Sequence, residues 1–258
     1  MDSITVSVIM AAYNSEKTIE YAISSIMKQS YSNWELIVIN DCSTDNTPFI
    51  LSSLRNLDSR IVVINNEINK GVSFSRFEGV KVSRGEWIAI LDSDDAWAND
   101  KLEKQVEFAI ANDADLVYSG SAFMNNCGNS IDWVMHVPEK ITYKQLLKQN
   151  LISNSSVLVR KAKYIQYYVF GDDLHEDFAT WLEMTRAGII AYGIDEPLLV
   201  YRLSKSSKSG NKLKAAKMNW KTYRYIGLNV ISASYYMAWY MLKGIFKYHN
   251  IKRGTSNA

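Results

Sequence analysis

The chain has 258 residues, 47% of them apolar, which is enough for a substantial buried core. Its three prolines and the lack of biased tracts exclude a disordered or fibrous protein. The net charge of +2 hides an asymmetry: residues 1–196 hold 17 basic and 27 acidic side chains, and beyond Glu196 come twelve Lys and Arg with no acid.

In chain order, short β-branched runs alternate with amphipathic stretches. Strands are expected at Val6–Ala11, Leu36–Ile39, Ile61–Ile64, Trp87–Leu91 and Leu116–Tyr118. Between them, Ser15–Met27 sets Ile19, Ala22, Ile23 and Ile26 on one helical face. Pro48 suits the first turn of a helix to about Leu57 with Thr47 as its cap. Phe74, Phe77 and Val80–Val82 mark a third crossover, and Leu102–Ile110 a fourth. This alternation predicts an α/β fold with a mostly parallel central sheet buried on both faces. From about 120 to 200 the pattern is less regular, with a strand at Ser156–Val159 and a helix from Glu176 to Arg186. From Lys212 onward the tail reads as helical.

Ligands of open α/β sheets bind beyond the carboxyl ends of strands. Three such ends carry polar clusters: Tyr13-Asn14, Asp41-Cys42-Ser43, and Asp92-Ser93-Asp94-Asp95. Crowded carboxylates repel one another and favour protonation unless a cation joins them. Hard divalent ions such as magnesium or manganese take a carboxylate pair completed by substrate phosphates. A solvated acidic turn is the plain alternative for Asp92–Asp95, and a turn or cap residue for Asp41. As a functional residue, Asp41 has the chemistry to accept the imide proton of a uracil ring.

Four blocks in order resemble the family two glycosyltransferases of GT-A fold. They are Val6-Ser7-Val8-Ile9-Met10-Ala11-Ala12-Tyr13-Asn14, Asn40-Asp41-Cys42-Ser43-Thr44-Asp45, Asn69-Lys70-Gly71-Val72-Ser73-Phe74-Ser75-Arg76, and Gly85 through Asp95 with its Asp92-Ser93-Asp94 motif. Two positions depart from the family pattern: Ala11 stands where Pro is frequent, and Asn40-Asp41-Cys42 where Asp-Asp-Gly is. The resemblance implies a nucleotide-diphospho-sugar transferase with uridine near Ala12, Tyr13, Asn14 and Asp41. It sets Arg76 near the donor phosphates, Asp92 near the ribose and Asp94 on a manganese or magnesium ion, with Ser93 among the donor-binding residues.

Downstream, His175-Glu176-Asp177-Phe178-Ala179-Thr180-Trp181 resembles the family's Glu-Asp pair followed by Trp. An attacking hydroxyl must lose its proton, so Asp177 fits the general base of an inverting reaction. Glu176 would position Asp177 or touch the acceptor, and Trp181 would stack under an acceptor sugar. The plain alternative is an acidic helix start with Trp181 in the core. Tyr201-Arg202 and the Ser- and Lys-rich run to Ser209 resemble the segment that closes over the donor, Arg202 offsetting diphosphate charge. His136 and His175 match no metal-ligand spacing and read as surface or acceptor-side residues.

The expected organisation is a catalytic domain over 1–205, with a nucleotide-binding half to 120 and an acceptor half over 121–205, followed by a basic, aromatic helical tail over 206–258. Tyr225–Leu242 is free of charge but is interrupted by Asn229, Ser232 and Ser234, and Lys and Arg flank it on both sides. It reads as an interfacial anchor on the inner face of the cell membrane. A helical pair packed on the catalytic domain, or a homodimer contact, is the alternative. Two cysteines, Cys42 and Cys127, form no zinc-type spacing or disulfide framework, and the opening residues show no leader, so a cytoplasmic, membrane-peripheral enzyme is expected. The implied partners are a UDP-sugar and a lipid diphosphate-linked saccharide, as in O-antigen, capsule or teichuronic acid assembly, with no nucleic acid. Two other readings compete: a nucleotidyltransferase, which would want a Gly-rich phosphate loop after the first strand, and a non-catalytic carbohydrate-binding or scaffold protein.

Overall fold

The computed structural model describes residues 5–203 and 212–256. Its first half runs β1 (Val6–Ala12), α1 (Ile19–Met27), β2 (Trp34–Asn40), α2 (Thr47–Leu57), β3 (Ile61–Asn65), α3 (Val72–Val82), β4 (Trp87–Ile90), β5 (Ala96–Trp97) and α4 (Lys101–Ala111). The second half continues with β6 (Leu116–Met124), β7 (Ser130–Met135), β8 (Lys140–Ile141), α5 (Tyr143–Lys148), a 3-10 turn at Asn154–Ser156 and β9 (Leu158–Arg160). It ends with α6 (Lys161–Tyr167), α7 (Glu176–Arg186), β10 (Ala191–Arg202), α8 (Lys212–Tyr225) and α9 (Val230–Ser256).

Among the described residues the strands form one sheet ordered β3-β2-β1-β4-β9-β6-β10-β5, with β7 on β6 and β8 on β10. The pairs β3-β2, β2-β1, β1-β4 and β6-β10 are parallel, while β9 runs antiparallel between β4 and β6. All seven residues of β2 are buried, as a strand covered on both faces must be. Successive side chains alternate between two cores. Leu36, Val38, Trp87 and Ala89 join α1 in one, and Ile37, Ile39, Ile88 and Ile90 meet α7 in the other.

The expected helices form, with adjusted edges. Thr47 is the first residue of α2 rather than its cap; Asn46 takes that place, and Thr47 Oγ1 accepts the Ser15 N–H at 2.8 Å. The strand expected at Ser156–Val159 starts at Leu158, because residues 154–156 close a 3-10 turn. Within the charge-free segment Tyr225–Leu242 the chain turns between α8 and α9, with Gly227 at φ +87°.

Trp181 is fully buried, 5.8 Å from the Tyr164 ring. This corrects its assignment as an acceptor platform. In the first turn of α7 Asp177 reaches the cleft, while Phe178 beside it and Trp181 and Leu182 of the next turn sink into the second core. Tyr223, Ile226 and Ala233 of the tail lie in that same core.

Lys101 is wholly buried, its Nζ donating to Gln105 Oε1 at 2.6 Å and lying 4.0 Å over the Trp97 ring. Burial drives its pKa well below the ordinary lysine value. The unfolded chain therefore binds the extra proton, and stability rises with pH until the unfolded amine also titrates. From pH 7 to pH 10, denaturant unfolding should show wild-type protein gaining on Lys101→Met by up to about 1.4 kcal/mol per pH unit. A constant difference over that range would mean that Lys101 stays protonated in the core.

Candidate active site

The carboxyl ends of β1, β2 and β4 open into one cleft of about 1650 Å³, whose lining also includes Glu176, Asp177 and Arg202. A single small ligand typically occupies about 300–1,000 Å³, so this space suits two substrates together. The strand order reverses at β1, which has β2 on one side and β4 on the other, and the polar clusters converge at that switch point.

The loops after β1 and β2 brace each other. Asn14, at φ +48°, donates its N–H to Ser43 Oγ at 3.0 Å and accepts the Thr44 N–H at Oδ1 at 2.8 Å. Tyr13 stands 52% exposed at the cleft mouth, an open aromatic face. Ala12 is buried and presents backbone to the cleft, its carbonyl accepting the Asp41 N–H at 2.8 Å. Ser93 ties this side to the acidic loop, 2.8 Å from Ser15 Oγ.

Asp41 is buried and shapes the third loop. Its Oδ1 accepts Asn66 Nδ2 at 2.7 Å and the Lys70 N–H at 2.9 Å, and its Oδ2 accepts the Gly71 N–H at 2.8 Å. A carboxylate offers about four acceptor positions, so one on Oδ2 is left for a ligand. Gly71 is required here: at φ +86°, a Cβ would sit 1.9 Å from Asp172 Oδ2.

Arg76 is buried, and its guanidinium spans the two halves of the cleft. One Nη donates to Asp92 Oδ1 at 2.8 Å, and the other is ion-paired with Glu176. Burial alone would lower its pKa, but the charges of Asp92 and Glu176 carry it well above the ordinary value. Arg76 thus reaches the cleft floor as part of a carboxylate bridge rather than as a loose phosphate clamp.

The three acids after β4 separate by environment. Asp92 is 39% exposed and paired with Arg76. Asp94 is pushed up to about 6, by burial first and then by the Asp92 charge. Asp95 is fully enclosed, accepting Ser155 Oγ at 2.7 Å and the Arg202 N–H at 2.9 Å, and burial raises its pKa strongly. Asp95 is a structural acid that fastens β10 to the loop, a division the sequence did not reveal. Arg202 is also buried, its Nε donating to the Asp94 carbonyl at 2.8 Å and its Nη1 lying 3.3 Å from the Asn126 carbonyl. The run from Ser204 to Ser209 lies outside the described residues.

On the opposite wall Glu176 and Asp177 open α7, where the helix dipole favours negative charge. Glu176 is buried against Arg76, while Asp177 lines the cleft and carries no ion pair among the described residues. Sequence reasoning missed Asn154, which also lines the cleft. In a Ser-rich stretch without periodicity it gave no signal beyond that of a loop.

A family model described as glycosyl transferase family 2 matches residues 7–172. The chain is 39% identical over 221 residues to the putative teichuronic acid biosynthesis glycosyltransferase TuaG of Bacillus subtilis (strain 168), covering 86% of this chain and 88% of that one. It is 38% identical over 258 residues to the UDP-Glc:alpha-D-GlcNAc-diphosphoundecaprenol beta-1,3-glucosyltransferase WfgD of Escherichia coli, covering 98% and 100%. Its fold matches the crystal structure of S. aureus TarS 1-349 in complex with UDP-GlcNAc with a TM-score of 0.72 at 20% identity, over 92% of this chain and 72% of that one. The matched family segment contains every strand end that builds the cleft floor, and the fold around it is GT-A. The chain therefore belongs to glycosyl transferase family 2 and is a glycosyltransferase.

Proposed function

We propose that this enzyme moves a sugar from a UDP-sugar to a hydroxyl of a lipid diphosphate-linked saccharide in bacterial surface polysaccharide synthesis, with inversion at the anomeric carbon. The names of its relatives support the substrate classes: TuaG is named for teichuronic acid, WfgD for a UDP-Glc donor and a diphosphoundecaprenol acceptor, and the TarS structure holds UDP-GlcNAc. The observation that carries the mechanism is the unequal fate of two adjacent acids. Glu176 is consumed by Arg76, whereas Asp177 faces the cleft with its carboxylate uncommitted.

Asp177 takes the proton of the acceptor hydroxyl as that oxygen attacks the anomeric carbon. The bond from that carbon to the diphosphate oxygen breaks on the opposite face, its electron pair leaving with UDP. Glu176 and Arg76 hold Asp177 against the donor side throughout. Tyr13 stacks on the uracil, and the remaining Oδ2 acceptor of Asp41 takes the imide proton.

The acids fit a divalent cation. Asp94 is desolvated beside a second negative charge, a cost that a cation relieves. Among the described residues no three His, Cys, Asp or Glu side chains form a full ligand set, so the protein would supply Asp94, with Asp92 alongside, and substrate phosphate and water the rest. Such an ion supplies charge to stabilise the departing diphosphate.

The tail supports contact with an anionic membrane surface. On α9, Ala233, Tyr236 and Met237 turn inward to the second core, while Ile231, Tyr235, Ala238 and Leu242 form an exposed stripe on the opposite side. No helix among the described residues is long and apolar enough to cross a membrane. Lys217, Lys221 and Arg224 of α8 add positive charge beside it.

Four outcomes follow. With manganese and a lipid diphosphate-linked GlcNAc analogue, the purified chain should transfer sugar from one of UDP-Glc, UDP-Gal or UDP-GlcNAc and give a product of inverted anomeric configuration by NMR. Asp177→Asn should lower that rate by about 10²–10⁴-fold while donor affinity stays within about twofold; loss of donor affinity would remove Asp177 from the base role. The raised Asp94 pKa favours the folded state at low pH, and that benefit is lost as pH rises through about 6. Metal-free Asp94→Asn should accordingly be more stable than wild type at pH 8, by on the order of 1–3 kcal/mol, and the gap should close near pH 4. Manganese with UDP should raise the melting temperature of wild type and not of the variant; an equal rise in both would place the ion elsewhere. Finally, the full chain should sediment with phosphatidylglycerol vesicles at low salt, and Ile231→Asp combined with Leu242→Asp should weaken that binding at least several-fold. Unchanged sedimentation would make the stripe a protein contact.

A further inference from the structure

Asn154 opens the 3-10 turn between α5 and β9, is 8% exposed, and lines the cleft. Both ends of its side-chain amide, Nδ2 and Oδ1, are buried without a hydrogen-bond partner. Among the other buried side-chain atoms in that state, the indole nitrogens of Trp34, Trp87 and Trp181 lie in the cores, and Arg76 Nε, on a residue that also lines the cleft, is a donor alone. Asn154 offers an orphaned donor and an orphaned acceptor together on a residue facing the substrates. A buried polar atom left unpaired carries the full cost of its desolvation, which a ligand group of complementary chemistry recovers.

The turn cannot swing to find another partner. Ser155 Oγ donates to Asp95 Oδ2 at 2.7 Å and accepts the Asp92 N–H at 3.1 Å. The Ser155 carbonyl accepts Trp97 Nε1 at 2.7 Å, and the Ser156 carbonyl accepts Gln105 Nε2 at 2.8 Å. Asn154 is thereby fixed to the acidic end of β4, where the diphosphate end of the donor is held, and away from the Tyr13 and Asp41 loops that take the base.

A phosphate oxygen only accepts hydrogen bonds and would leave Oδ1 unpartnered, whereas a sugar hydroxyl both donates and accepts. We infer that Asn154 is a specificity-determining residue that binds a hydroxyl of the donor's glycosyl unit, its Oδ1 accepting and its Nδ2 donating. This rests on the reading of the cleft as a UDP-sugar site and extends it to the sugar itself. A site built to pair a substrate hydroxyl rejects the analogue that lacks it, because the amide is then left buried and unpaired.

The test uses the full chain with manganese and UDP-Glc, UDP-Gal and UDP-GlcNAc, followed by the 2-, 3-, 4- and 6-deoxy analogues of whichever donor is best. In wild type, one deoxy position should cost at least about tenfold in kcat/KM. Asn154→Ala should lower kcat/KM for the intact donor by about 10–100-fold and abolish the penalty at that position alone, with UDP affinity within twofold of wild type. Asn154→Asp, close in shape, serves if the alanine variant does not fold. In wild type the side-chain amide NMR signal of Asn154 should also shift with the UDP-sugar and not with UDP. Deoxy penalties that persist unchanged in the variants would overturn the assignment, as would equal losses of UDP and UDP-sugar affinity. If wild type binds neither UDP nor any of the three donors, the donor reading of the cleft falls, and this inference with it.

Discussion

The site hangs on a single buried cation. Arg76 leaves water to lie between Asp92, at the end of β4, and Glu176, at the start of α7. A buried charge is tolerable only when paired, and removing either partner from such an arrangement typically costs about 3–5 kcal/mol. The two carboxylates come from opposite walls of the cleft, 84 positions apart in the chain. The electrostatic demand of one guanidinium therefore becomes a geometric constraint, because satisfying it fixes the acid-bearing loop relative to the helix that carries Asp177.

That constraint also explains why five neighbouring acids do different work. Asp92 and Glu176 are spent on Arg76, and Asp95 is enclosed by Ser155 and the Arg202 backbone. Asp94 and Asp177 also line the cleft, and neither carries an ion pair among the described residues. Asp94 is the more desolvated and lies beside like charge, so it favours a cation. Asp177 sits at a helix N-terminus, which supports a carboxylate without tying up its oxygens. Residue type alone would have made these acids interchangeable; their surroundings assign them to different tasks.

The parts of this arrangement legible in the sequence were those set by local pattern. β1, β2 and β4 stood out because strands covered on both faces read as continuous apolar runs, and α7 matched its expected limits, Glu176–Arg186, because an acidic first turn precedes a periodic apolar face. Illegible were features set by contacts across the fold. Trp181 lies one turn beyond Asp177 on α7, and nothing in the spacing tells where the cleft stops and the core begins. Arg76 carried the family's pattern, yet its commitment to Glu176 depends on a partner 100 residues away. Asn154 showed no periodicity, charge or motif; the neighbouring serines lock its turn and leave its amide buried and unpaired on a residue that lines the cleft. β10 was equally obscure, since its twelve residues pair with β6 across a register shift between Ile194 and Leu199.

The basic tail is more than an appendage to an acidic body. Thr222 Oγ1 of α8 accepts the His175 N–H at 3.0 Å, and the His175 ring donates from Nε2 to the Ala215 carbonyl at 3.2 Å. His175 is the residue immediately before α7, so α8 fastens the very end of the helix on which Asp177 is mounted. Lys221 adds an exposed ion pair to Asp173 at 2.7 Å, of small energetic weight but at the same junction. The face of α8 that packs inward thus steadies the acceptor wall, while the next helix turns an apolar stripe outward. Whatever α9 contacts acts on a part of the protein that lies one helix away from Asp177, a short mechanical path from surface to chemistry. Under the proposed function, a lipid-borne acceptor would require that proximity, since its hydroxyl would have to reach Asp177 while its anchor stays outside.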